Sequence, residues 1–174
     1  SEPRRTGYEY NWSRSGATAR TLIEDGQHTG LAAQVANGEI DIVFISIGSN
    51  DFAPYRPAYM DIYSGALAGE ALQAKIDQLV ADVTLAVETM RAAGDVPILL
   101  ITVPDWNFSA AVVMDARFAD ANRRQLVSEA TAAVNAKLGA LAEAQPGVTL
   151  VDQNQFGQHL LPTLQNGSFK VGGE

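Results

Sequence analysis

The sequence predicts an α/β fold organised on a parallel sheet, and three observations carry that expectation. Short apolar runs rich in β-branched residues occur at 40–47, 96–103 and 148–152. Long stretches of helical periodicity separate them. The first two runs break off in turn-forming residues, Gly48-Ser49-Asn50-Asp51 and Pro104-Asp105-Trp106-Asn107. Near-continuous apolar strands belong to sheets covered on both faces. Strand–helix–strand spacing of this kind requires right-handed crossovers, and so a three-layer α/β/α arrangement of parallel strands. A chain of 174 residues that is 47% hydrophobic suits one domain, residues 1–174, with a real core.

Residues 1–10 are polar and turn-prone, and Tyr8 and Tyr10 alternate as in the tail of a short strand. Residues 17–37 read as an interrupted helix. Leu22 and Ile23 lie on one apolar face and Leu31 and Val35 on another, with Gly26 and Gly30 breaking the run between them. Gly38 is a candidate C-cap before the strand at 40–47. Residues 52–69 form a long aromatic loop, and loops of that length usually bind or cover something. Its Phe52, Tyr55, Tyr59 and Tyr63 either wall a pocket or pack the loop onto the body.

Residues 70–93 give the clearest helix, with Leu72, Ile76, Leu79, Val80, Val83, Val87 and Met90 recurring at threes and fours. Gly94 ends it. The strand at 96–103 tolerates Pro97 near its start. Trp106 and Phe108 beyond it are either pocket or core residues. A helix is expected over 115–144, with Phe118, Leu126, Ala130, Val134, Leu138 and Leu141 on one side, ended by Pro146 and Gly147. The strand at 148–152 follows, and the remainder has no strong period.

Composition excludes several classes of function. Twelve basic residues against 20 acidic give a net charge of −8 with no basic cluster, which disfavours nucleic acid and anionic membranes as partners. With no cysteine and only two histidines, neither a disulfide nor a metal motif can be drawn, and no cofactor is implied. No apolar run reaches membrane-spanning length. The opening Ser1-Glu2-Pro3-Arg4-Arg5 is not a signal peptide, though it is compatible with the trimmed remainder of a secreted chain.

Ligands of open parallel sheets bind just beyond the carboxyl ends of the strands, where an Asn can aim its amide N–H groups at a reacting oxygen. Asn50 occupies such a place. Upstream, Asn11-Trp12-Ser13-Arg14-Ser15-Gly16-Ala17-Thr18-Ala19 carries a Ser-Gly-Ala-Thr core. That core, a helical stretch and a strand closing in Gly-Ser-Asn-Asp together resemble the SGNH (GDSL-type) esterases and lipases. The Thr102-Val103-Pro104-Asp105 exit resembles the family as well.

The resemblance implies that Gly16 supplies a backbone N–H and Asn50 a side-chain N–H to an oxyanion hole. It makes Asp51 a support of the turn. It also implies a flavodoxin-like strand order whose central strand carries a Gly-Asp-Ser nucleophile before residue 1. An Asp-x-x-His dyad is expected beyond Gly172-Gly173. Residues 1–174 are therefore expected to be a partial chain with an incomplete sheet, completed by further segments of its own chain or by another chain. The compartment stays open, with the resemblance tilting it towards secretion.

The nine serines (1, 13, 15, 46, 49, 64, 109, 128 and 168) offer no Gly-Asp-Ser and no Gly-x-Ser-x-Gly. Asp25-Gly26-Gln27-His28 spells Asp-x-x-His, but on a helical stretch between the two donor motifs. His159 follows the last strand at the wrong distance from Asp152. Both histidines read more simply as surface or packing residues. The functional expectation is a serine-dependent hydrolase of carboxylic esters, on small-molecule, lipid or carbohydrate substrates. Gly16 and Asn50 are its donors, and Phe52, Tyr55, Trp106 and Phe108 its substrate-binding residues. The alternative is a non-catalytic glycan- or acyl-binding domain of the same fold. A nucleotide binder would need a Gly-rich phosphate loop, which the sequence lacks.

Overall fold

The computed structural model describes residues 7–160. Three parallel strands, β1 (Val43–Ile45), β2 (Ile98–Ile101) and β3 (Val148–Val151), stand in the order β1-β2-β3. Val43, Ile98 and Val148 lie in register. The helices are α1 (Ala19–Glu24), α2 (Gln27–Ala36), α3 (Pro57–Ser64), α4 (Gly69–Ala93), α5 (Ala110–Val113), α6 (Ala121–Ala144) and α7 (Gln153–Leu160).

Local chemistry sets most of these boundaries. Thr18 and Thr21 cap α1 reciprocally, each side chain accepting from the other's backbone N–H. Gly26 separates α1 from α2, as expected. Gly30 does not break the chain: it lies inside α2, where the Trp12 ring rests so close that a Cβ would sit 2.0 Å from Cη2. The expected loop at 52–69 holds a helix, α3, opened by Pro57 in its first turn. Its Tyr59 and Tyr63 pack edge-on against Phe118, at 4.9 and 5.6 Å between centroids. For these two tyrosines, packing onto the body is what the aromatics do.

The long helix expected from residue 115 begins later. Asp115 caps a separate 3₁₀ turn, Ala116–Phe118, and Asp120 then caps α6 by accepting from the N–H groups of Asn122 and Arg123. The core face of α6 is Val127, Ala130, Thr131, Val134, Leu138 and Ala142, while Leu126 is 41% exposed.

One face of the sheet is dry. Val43, Ile45, Ile98 and Leu100 are all buried there against residues of α4 (Leu79, Val83, Val87) and α6 (Val134, Leu138). Each such side chain contributes about 1.5–3 kcal/mol by leaving water. The other face carries Phe44, Leu99, Ile101, Thr149 and Val151, and it is more open among the described residues. Phe44 is 64% exposed, so β1 is not buried on both faces as its apolar sequence suggested. The strand is also shorter than expected, and among the described residues it pairs on one side only. Val43 N–H donates to Pro97 O at 2.9 Å. Alternation along the strand then turns the Phe44 N–H and C=O towards the unpaired edge.

Candidate functional site

The exit of β1 turns on Gly48, whose φ of +95° a side chain rarely adopts. A Cβ there would stand 2.6 Å from Val103 Cγ2. The next three residues, Ser49–Asp51, make one 3₁₀ turn closed by Asp51 N–H on Gly48 O at 3.0 Å. This turn presents Asn50 and Asp51 towards the segment around Gly16.

Several hydrogen bonds tie the two segments together. Asn50 Nδ2 donates to Ala17 O at 2.9 Å, and Ala19 N–H donates to Asp51 Oδ2 at 3.0 Å. Arg56 donates to Gly16 O at 3.0 Å from the helix-capping position of α3. From the far side of the turn, Trp106 Nε1 donates to Ser49 O at 3.1 Å. Tyr55 donates its hydroxyl hydrogen to Asn50 Oδ1. The structure thus brings Gly16 and Asn50 into one cluster. Among the described residues, the Gly16 N–H and the second N–H of the Asn50 carboxamide carry no partner.

Asp51 is held above the usual carboxylate range, chiefly by burial, while the Ala19 N–H and the charge of Lys75 pull it back. Asp82, buried on α4 and paired with Arg20 at 3.2 Å, adds repulsion. Asp51 therefore acts as a hydrogen-bond bracket between the two loops.

A groove of about 630 Å³ runs from Asn50 along the unpaired edge of β1. Tyr8, Trp12 and His28 line it opposite Ile42 and Phe44. Gln27 Oε1 and His28 Nδ1 are buried beside it without a hydrogen-bond partner among the described residues. Asp25, the other half of the Asp-x-x-His match, is engaged by Arg14 at 3.1 Å.

The expected substrate-binding aromatics separate. Phe52 is fully buried, a core residue under Lys75 and not a pocket wall. Tyr55 is exposed and meets half-buried Trp106 edge-on, with centroids 6.2 Å apart. Phe108 is half-buried at the end of the 3₁₀ turn Trp106–Phe108. No serine hydroxyl is hydrogen-bonded to a histidine among the described residues: Ser64 bonds Asp61 O, Ser109 caps α5, and Ser128 joins Asp105 and Asn107. His159 falls on α7, but its side chain, like Ser1, Ser168 and Gly172-Gly173, lies outside the described residues.

Two features escaped the sequence reading. Arg56 gave no signal, because its partner is the backbone of a residue forty positions away. A polar network also fixes the exit of β2. Asp105 Oδ2 accepts from Ser128 Oγ at 2.6 Å, and Tyr59 OH donates to Asn107 Oδ1 at 3.2 Å. Burial, with Asp105 nearby, pushes the Tyr59 hydroxyl up to about 12. The Asp-Trp-Asn spelling was the available clue, since Asp105 caps the turn through Asn107 N–H.

A family model described as GDSL-like lipase/acylhydrolase matches residues 3–169. No curated protein matches the chain.

Proposed function

Since the chain belongs to the GDSL-like lipase/acylhydrolase family, a family of ester hydrolases, we propose that it supplies the oxyanion-binding half of a serine-dependent carboxylic ester hydrolase. One observation carries the reading. The Asn50 carboxamide is held at both ends, by Ala17 O and by Tyr55, and among the described residues neither its second N–H nor the Gly16 N–H has a partner.

In ester hydrolysis a serine oxygen attacks the acyl carbon and its proton passes to a base. The carbonyl oxygen becomes an oxyanion, and the tetrahedral intermediate collapses to an acyl-enzyme that water then releases. Gly16 N–H and Asn50 Nδ2–H donate to that oxyanion. They strengthen as charge develops and need no reorganisation, because the turn fixes them beforehand. Tyr55 and Trp106 at the rim, with Phe108 beyond, flank the acyl or alcohol portion of the substrate. Phe52 has no part in this.

The serine and its Asp-His pair come from segments beyond residues 1–174. Among the described residues the β1 edge is unpaired, and Gln27 Oε1 and His28 Nδ1 lie beside its groove without a partner; these features support that assignment, because buried polar atoms are normally satisfied. So does the exposed Phe44, because parallel sheets are ordinarily covered on both faces.

The test is Asn50→Ala in the complete protein. Losing one oxyanion donor costs about 2.7–4 kcal/mol of transition-state stabilisation, so kcat should fall about 10²–10³-fold with KM little changed. An unaltered kcat would remove Asn50 from the chemistry. A fluorophosphonate probe should label the complete protein on a serine, and no labelling would leave only the binding alternative.

A further inference from the structure

We propose that Tyr55 is a positioning residue, and that its hydroxyl holds the Asn50 carboxamide in the orientation that Ala17 O selects. This rests on the reading of Asn50 as an oxyanion donor and adds a residue that acts through it. A carboxamide can turn over, exchanging its oxygen and nitrogen, and only one orientation presents an N–H. The partners at this site allow no exchange. Ala17 O can only accept, so the group 2.9 Å from it must be Nδ2. The atom facing Tyr55 is then Oδ1, which can only accept, so the phenol must donate. With one hydrogen of Nδ2 committed to Ala17 O, the other is the one that remains for a ligand.

Tyr55 is itself fixed for this task. Its ring stands edge-on to Trp106 at 78°, and Trp106 is anchored by its indole N–H on Ser49 O. The Arg56 guanidinium lies 5.8 Å from the Tyr55 ring centroid while bonded to Gly16 O. Two consecutive residues thus hold the two donor segments, Tyr55 on Asn50 and Arg56 on Gly16.

Tyr55→Phe isolates the hydroxyl, since the ring and its contact with Trp106 are kept. In the complete protein kcat should fall about 3–10-fold, the worth of one ordinary hydrogen bond, with KM unchanged. The two Asn50 Hδ resonances, read by ¹H–¹⁵N spectroscopy, should shift, and the thermal midpoint should stay within error of wild type. In an Asn50→Ala background, Tyr55→Phe should have no further effect on kcat. A rise in KM at constant kcat would mean that the hydroxyl binds substrate instead of holding Asn50, and would overturn the proposal. Unmoved Asn50 resonances, or a second loss in the double variant, would overturn it as well. Should Asn50→Ala leave kcat untouched, the oxyanion reading fails, while the Asn50 resonances still decide whether Tyr55 orients that carboxamide.

Discussion

Asp51 joins two loops through one carboxylate, and that makes its protonation matter to the fold. Its pKa is raised by burial, so the folded chain binds this proton more readily than the unfolded chain does. The sign follows from linkage: this group's contribution is most favourable below its unfolded pKa, near pH 4. It declines as pH rises through the window up to the raised folded value, and is level above it. Asp51→Asn keeps an oxygen for the Ala19 N–H and removes the charge. Urea unfolding measured at a series of pH values should therefore show a shallower decline in stability across that window than wild type. A steeper decline would mean that the carboxylate is stabilised in place. Asp51→Ala instead leaves the Ala19 N–H without its acceptor, and Ala19 is 1% exposed. That should cost about 1–3 kcal/mol at neutral pH.

At the scale of elements, the segment leading to Gly16 is fastened to α2 by the Trp12 ring and by Gln27 and Gln34, which donate to Trp12 O and Glu9 O. Trp12 lies over Gly30 and donates its indole N–H to Gln34 Oε1 at 2.7 Å, one turn further along the helix. Gly30→Ala would improve helix propensity by about 1 kcal/mol, yet its Cβ would meet the ring at 2.0 Å. Overpacking of this kind costs about 1–3 kcal/mol, so the variant should gain nothing or lose stability. The emission of Trp12 should shift to the red as the ring is displaced, readable in a Trp106→Phe background. Added stability with unchanged emission would show that Trp12 does not depend on that close approach. The same scale shows what the sequence could say. The period of α4 ran unbroken, and its bounds were legible to within a residue. The start of α6 was misread because Phe118 fell in phase with the helix while belonging to the turn before it. Asp115 and Asp120, each a cap, were the overlooked signal. In the candidate site, short motifs pointed to Gly16 and Asn50, and the segments that carry them are hydrogen-bonded together. Tyr55 was legible only as an aromatic near the turn, since its hydrogen bond depends on how the chain folds back after Gly48.

For the whole molecule, the flank of β1 that is unpaired among the described residues is the place where the sheet can be tested for completeness. Val43 N–H is bonded to Pro97 O, and the alternation of a parallel ladder gives Ile45 the same side, leaving the Phe44 N–H facing the groove. An exposed apolar edge is a template for another strand. If a further segment lies there in the complete protein, amide hydrogen exchange should report it at one residue. Val43 and Ile45 should be protected both in residues 1–174 alone and in the complete protein. Phe44 should exchange freely in the first and be protected in the second. Residues 1–174 alone should also be nearly inert towards p-nitrophenyl acetate, since they would keep the oxyanion donors without the nucleophile and base. Free exchange at Phe44 in both samples would mean that nothing pairs with this edge. The attacking serine would then have to reach Asn50 by a route other than a strand beside β1.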